Sequence, residues 1–225
     1  MVIVRLVFIT IGVFLFSLSL PGQVPVENLE KEKYPANNRV ESLEAAAVIS
    51  FFEETNVGNL HVYPSADTSA SYDFFFKGEK LPEGAMGIFK KAWREKLPES
   101  YDAYAVYAIK GEGKPYYIVR YEGEGLRNTI ELFEMIEGEM QHSQTLAMYR
   151  CEEGECVQQD TWLLDLNGDT LFDMIKKVKI WSSDQRERVI GEYQDVMTQL
   201  DNGRFVSTGS LEVELRDYRM EELEQ

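Results

Sequence analysis

The sequence predicts an α+β protein in which two N-terminal helices pack on a C-terminal antiparallel β-meander of about six to eight strands. Two observations lead to this expectation. Before Pro98, apolar residues recur at helical spacing in two stretches; after Pro98 the period drops to two, and turn residues recur every 13 to 18 positions. Composition supports a packed core, since 44% of the 225 residues are hydrophobic and 12% are aromatic.

The elements follow in order. Residues 1–22 pair an early cation, Arg5, with an uncharged, mostly apolar run from Leu6 to Leu20 and a Pro21-Gly22 break. That pattern predicts a secretory signal peptide, and so a mature chain that is periplasmic or extracellular. No later stretch is long and apolar enough to span a membrane. Residues 23–38, with Pro25 and Pro35, read as a polar linker. The mixed, mainly helical layer covers 39–98. Its first helix spans 39–54, where Val40, Leu43, Ala47, Val48 and Phe51 share a face opposite Glu41 and Glu44. A second helix runs from Pro82 or Glu83 to Lys96, aligning Met86, Phe89 and Trp93 before Pro98 stops it. Short strands are expected between them at 60–63 and 72–77, with Lys77-Gly78-Glu79 turning into Lys80-Leu81.

The sheet region covers 99–213. Strands are expected at 103–110, 115–121, 129–136, 143–151, 156–164, 171–181, 189–200 and 204–213. Asp201-Asn202-Gly203 is the clearest hairpin signal, because Asn-Gly readily takes the positive φ angles of a type I′ turn. Residues 188–200 also fit a helix, and strand is preferred for their place before that turn. Residues 214–225 form a charged tail, expected to fray or to make one helical turn. Cys151 and Cys156 bracket a turn-like Glu152-Glu153-Gly154-Glu155 between two strands, the arrangement of a disulfide across a hairpin in an oxidising compartment.

Charge removes some function classes. With 23 basic and 39 acidic side chains the formal charge is −16, which opposes binding to nucleic-acid phosphates or to anionic lipid. His61 and His142 stand far apart, and no metalloprotease motif or nucleophile elbow is present. Gly111-Glu112-Gly113-Lys114 lacks the Gly-Lys-Ser/Thr of a nucleotide loop and reads as a hairpin turn. Glu131, Glu134, Glu137 and Glu139 read as the solvated face and turn of one hairpin. The tyrosines at 101, 104, 107, 116, 117 and 121 read as core beneath the helices.

One constellation points to chemistry. In 165–173, Asp165, Asn167, Asp169 and Asp173 place side-chain oxygens at offsets 0, 2, 4 and 8, and the Leu171 carbonyl offers another. Ca²⁺ takes six to eight hard oxygen ligands, and a tight loop presenting alternate side chains supplies them. The motif Asp-x-Asn-Gly-Asp-x-x-x-Asp resembles the calcium loops of FG-GAP and VCBS repeats, and dockerin loops at its start. That resemblance, over nine residues, implies that Asp165, Asn167, Asp169 and Asp173 ligate Ca²⁺ through side chains and Leu171 through its carbonyl. Thr170 departs from the pattern where those loops carry Gly, and Lys176 stands where an EF-hand places its bidentate Glu. The motif occurs once, so no propeller is implied.

The expected function is that of an exported, non-catalytic binding or envelope-associated protein with a structural Ca²⁺, its partner an unidentified protein or carbohydrate. The alternatives are a carbohydrate-directed hydrolase using acidic residues and an inhibitor or partner-masking protein. A deep cleft with two facing carboxylates would favour the hydrolase; an exposed sheet edge would favour masking.

Overall fold

The computed structural model describes residues 45–55, 58–67, 70–110, 115–123, 126–184, 188–208, 213–214 and 217–223. The expected signal peptide and linker, residues 39–44 of the expected 39–54 helix and the Gly111–Lys114 turn lie outside them. Residues 45–49 form α1, which closes in a turn at 50–52 and gives way to strand β1, Glu53–Thr55. Then come β2 (Asn59–Val62), β3 (Glu79–Lys80), a 3-10 helix (Glu83–Ile88) and α2 (Lys91–Arg94). Eight strands follow: β4 (Tyr101–Lys110), β5 (Pro115–Gly123), β6 (Leu126–Ile136), β7 (Glu139–Glu152), β8 (Glu155–Leu164), β9 (Asp173–Ser182), β10 (Val189–Gln199) and β11 (Phe205–Ser207).

All eleven belong to one mixed sheet of order β1-β4-β5-β6-β7-β8-β9-β10-β11, with β2 added to β8 and β3 to β4. This corrects the expected α+β architecture of two helices on a meander of six to eight strands. The helical layer is reduced to short pieces, and β1 lies parallel to β4 rather than inside a helix. The physical causes are local. Residues 53–55 gain a sheet partner in β4, and Lys110 fixes the pairing by donating to Glu54 at 2.5 Å. The 82–96 stretch carries Gly84 and Gly87, poor helix formers. It is broken at Phe89, which bridges to Met140 while Lys90 N–H donates to the Met140 carbonyl at 3.0 Å. The expected strand at 72–77 is instead a pair of turns. Phe74-Phe75-Phe76 has no polar alternation, and Phe74 and Phe76 both turn into the core. Of the expected 204–213 strand, 205–207 are strand while the other described residues, 204, 208 and 213, are not, and 189–199 is strand throughout.

From β4 to β10 the sheet bends back on itself. The β6–β7 register shifts at three places; β7 pairs β6 over 139–149 on one edge but β8 only over Met148–Glu152 on the other, and the far half of β8 pairs β2 instead. Bulges bend and twist strands. The bend brings Tyr116 of β5 to Gln199 of β10, with four strands between them in the sheet, and sets its ring 6.3 Å from Phe205. One core fills the inside of this curl with Ile118, Ile130, Leu132, Leu146, Leu163 and Met174. A second lies under the helical pieces, where Phe89, Trp93, Tyr117, Tyr121 and Phe133 meet. Of the tyrosines expected beneath the helices, Tyr117 and Tyr121 are buried there, Tyr107 and Tyr116 are buried in the core inside the curl, and Tyr101 and Tyr104 are half-buried, because alternation sends neighbouring side chains to opposite faces.

Among the described residues, no helix is long and apolar enough to cross a membrane. Cys151 and Cys156 are opposed across the β7–β8 hairpin and joined by a disulfide. Replacing both with Ser is expected to lower stability by about 2 kcal/mol, the chain-entropy value for so short a loop. Urea unfolding of the two proteins checks this.

Candidate functional site

The 165–173 loop joins β8 to β9, and its backbone folds around its own side chains. Asp165 accepts from Gly168 N–H at 2.7 Å and Thr170 N–H at 3.0 Å. Asn167 Oδ1 accepts from Asp169 N–H at 2.9 Å, and Asp169 Oδ1 from Leu171 N–H at 2.8 Å. Thr170 takes φ +70, the left-handed region where calcium loops carry Gly, despite its branched Cβ. Partial desolvation would raise the Asp165 carboxyl, but the N–H groups of Thr170 and Gly168, joined by those of Asp169 and Asn167, hold it below its ordinary value.

The structure gathers Asp165, Asn167 and Asp169 on the exposed rim and separates Asp173 from them. Asp173 is buried, accepting from Leu166 N–H at 2.9 Å and Gln199 N–H at 3.3 Å, so it ties the loop to β10. Burial, and then the charges of Asp169 and Asp165, push its carboxyl up against those two hydrogen bonds. The donor chemistry fits a hard cation: three carboxylates, an amide oxygen and the Leu171 carbonyl. Their arrangement is self-satisfied. Asn167 Nδ2 donates to Asp169 Oδ2 at 2.8 Å, and among the described residues no three Asp, Glu, His or Cys side chains are grouped to hold an ion.

A second polar cluster went unread in the sequence. Glu131, expected on a solvated face, is only 6% exposed. Strand alternation puts it beside Phe133 on the face of β6 covered by the helical pieces. Its carboxylate accepts from Trp93 Nε1 at 2.5 Å, Tyr121 hydroxyl at 3.2 Å and Thr145 hydroxyl at 3.3 Å, and lies 3.6 Å from His142 Nε2. Burial pushes its pKa up to about 7, although the three hydrogen bonds and Lys96 oppose the shift. Burial, and then Lys96 and Lys176, hold His142 below its usual value, and burial lowers Lys176 despite Asp195. Glu134 is half-buried on the opposite face, while Glu137 and Glu139 are exposed at the turn. The available signal was period alone: Glu131, Phe133 and Met135 alternate on one face.

His61 is likewise more engaged than a strand surface residue. It stacks on Trp162 at 4.1 Å, and its Nε2 lies 3.0 Å from the fully buried Asp160. The protein-family models, characterised proteins and solved structures compared with this chain show no match to it.

The raised Glu131 pKa stabilises the fold below the unfolded value near 4.5, and that contribution is lost as pH rises through about 7. Its full size is about 3 kcal/mol. The depressed His142 acts oppositely, its contribution falling away below its unfolded value near 6.5. The urea midpoint is therefore expected to rise as pH falls from about 8 to about 6.5, and Glu131→Gln should flatten that rise. An equal rise in the variant would assign the dependence to other groups.

Proposed function

We propose that this protein is a non-catalytic binding protein that works outside the cytoplasm, docking an extended, basic segment of a partner along the outer edge of β10. One observation carries the reading. Strand β11 pairs only with Met197–Gln199, and Thr208 N–H reaches Val196, so among the described residues 189–194 have no strand on their outer side. An open edge presents unpaired main-chain groups to which a partner strand can add. Tyr193 is 64% exposed there, and Val189 and Ile190 are exposed beside it. The formal charge of −16 steers a basic partner to this acidic protein. The Cys151–Cys156 disulfide supports an oxidising compartment. Glu131 gives the hydrolase reading little support, since the groups within its reach are Trp93, Tyr121, Thr145 and His142 rather than a second carboxylate.

The loop at 165–173 contributes rigidity in this reading. Asp165, Asn167, Asp169, the Leu171 carbonyl and Asp173 would hold a Ca²⁺-type ion, which would cancel the mutual repulsion of the carboxylates beside β10. Thermal unfolding in EDTA and then in millimolar Ca²⁺ tests it. A saturating ion is expected to add about 2.7 kcal/mol, a rise of several degrees that Asp169→Ala abolishes. No rise would leave 165–173 as a polar turn.

The edge is tested with peptides selected from a displayed random library on the unaltered protein. Selected peptides should be extended and basic and should slow amide exchange at Glu192 and Gln194, whose main-chain groups alternate to the same outer side as that of Val196. Ile190→Lys with Tyr193→Lys should weaken them about tenfold or more without changing the unfolding midpoint, because charge on an edge opposes strand addition. Peptides protecting some other surface, or none selected, would overturn the reading.

A further inference from the structure

Strands β8 and β9 turn a continuous face outward, away from the core inside the curl. Cross-strand pairs set its composition: Trp162 opposite Ile175 at one end, Cys156 opposite Trp181 at the other, and Asp160–Lys177 and Gln158–Lys179 between them. It is a polar strip between two apolar ends, and residues 217–223 lie across it. Expected to be a frayed or one-turn charged tail, this segment instead has Leu223 only 6% exposed, packed with Trp181 and Tyr149. At the other end Tyr218 meets Trp162 edge-on at 5.6 Å, and Met220 joins the cluster of Trp162, Leu164 and Ile175.

The middle of the segment is held through its main chain. Gln158 Nε2 donates to the Glu221 carbonyl at 2.9 Å, Glu221 N–H donates to Asp160 Oδ2 at 2.8 Å, and Lys177 Nζ donates to the Tyr218 carbonyl at 2.5 Å. Gln158 and Asp160 are both buried, and each is set by the other at 2.9 Å, with His61 bracing Asp160. Side chains that bond to main-chain N–H and C=O do not depend on which side chains the bound segment carries. Two grooves border the segment, one of about 450 Å³ lined by Lys179, Trp181, Glu222 and Leu223 and one of about 420 Å³ beside Tyr193 and Arg219.

We propose that the outward face of β8 and β9 is a peptide-binding groove and that residues 217–223 are its exchangeable occupant, held in cis. The segment that fits is extended, with an apolar side chain at each end of the groove, spaced as Met220 and Leu223 are, and acidic residues between them to meet Lys179. A few hydrogen bonds and two apolar anchors suffice in cis, because the tether supplies a high effective concentration. A partner segment that also fills the flanking grooves displaces the strap.

Two measurements test this. In the unaltered full chain, amide exchange at Glu221 should run about 100-fold faster than at Thr161, through an opening that leaves the sheet intact. Equal protection of the two would make the strap part of the core and overturn the proposal. In the full chain carrying Tyr218→Ser and Leu223→Ser, a fluorescein-labelled peptide of residues 217–225 should bind saturably, and about tenfold or more tighter than to the unaltered chain. A folded variant that fails to bind the peptide overturns the proposal; if the variant does not fold, the exchange comparison decides alone.

Discussion

The structure rests on β5 being buried on both faces. From Tyr116 to Tyr121 every residue of the strand is shielded, Arg120 among them at 1% exposure. Alternation divides these side chains between two sides: Tyr117, Val119 and Tyr121 face the helical pieces, while Tyr116 and Ile118 face the inside of the curl. A flat antiparallel sheet with one wet face would leave half of them in water. The short helical layer and the bending of the sheet are two answers to one requirement, and neither works without the other.

Satisfying β5 in this way leaves the segments outside the long strands to be fastened individually, and buried polar side chains do it. Arg120 donates to the Lys77 carbonyl at 3.0 Å and to Asn128, whose amide holds the Ser65 carbonyl at 3.2 Å, so Ser65 and Lys77 are clipped to the sheet. Glu131 holds Trp93 of α2, Asp173 holds Leu166 N–H and β10, and Asp160 holds Glu221. A charge removed from water is tolerable only when its bonds are made, so each clip is specific in place and costly to break. These buried polar side chains sit on the sheet where the short segments meet it.

Much of the strand content was legible because period-two patterning and turn chemistry are local. Glu137-Gly138, the inter-cysteine turn and Asp201-Asn202-Gly203 each end a strand at a glycine with positive φ, although Glu137 and Glu153 take positive φ as well and Asn202 does not, so the last turn is not the expected type I′. The helices were misjudged where non-local contacts prevailed. Residues 53 and 54 continue a helical pattern, yet β4 offers them a ladder. Phe89 lies on the apolar face of a helical pattern, but Met140 captures its backbone. Burial of Glu131, Asp160 and Gln158 was illegible for a related reason: polarity predicts exposure unless a partner waits across the fold, and those partners lie up to 99 residues away.

What this sequence determined by itself is short in range: where strands begin and end, which turns can be tight, which two cysteines can meet across a hairpin, and which loop gathers oxygen atoms. Those properties depend on neighbours along the chain, so composition and spacing express them directly. Tertiary structure decided how the sheet bends, that among the described residues only the last residues of β10 pair with β11, that Asp173 is an anchor within its loop, and that an apparently charged tail has a seat on β8 and β9. Each of these depends on which distant surfaces meet, because the free energy of burying an apolar side chain or pairing a buried charge is set by the partner and not by the residue alone.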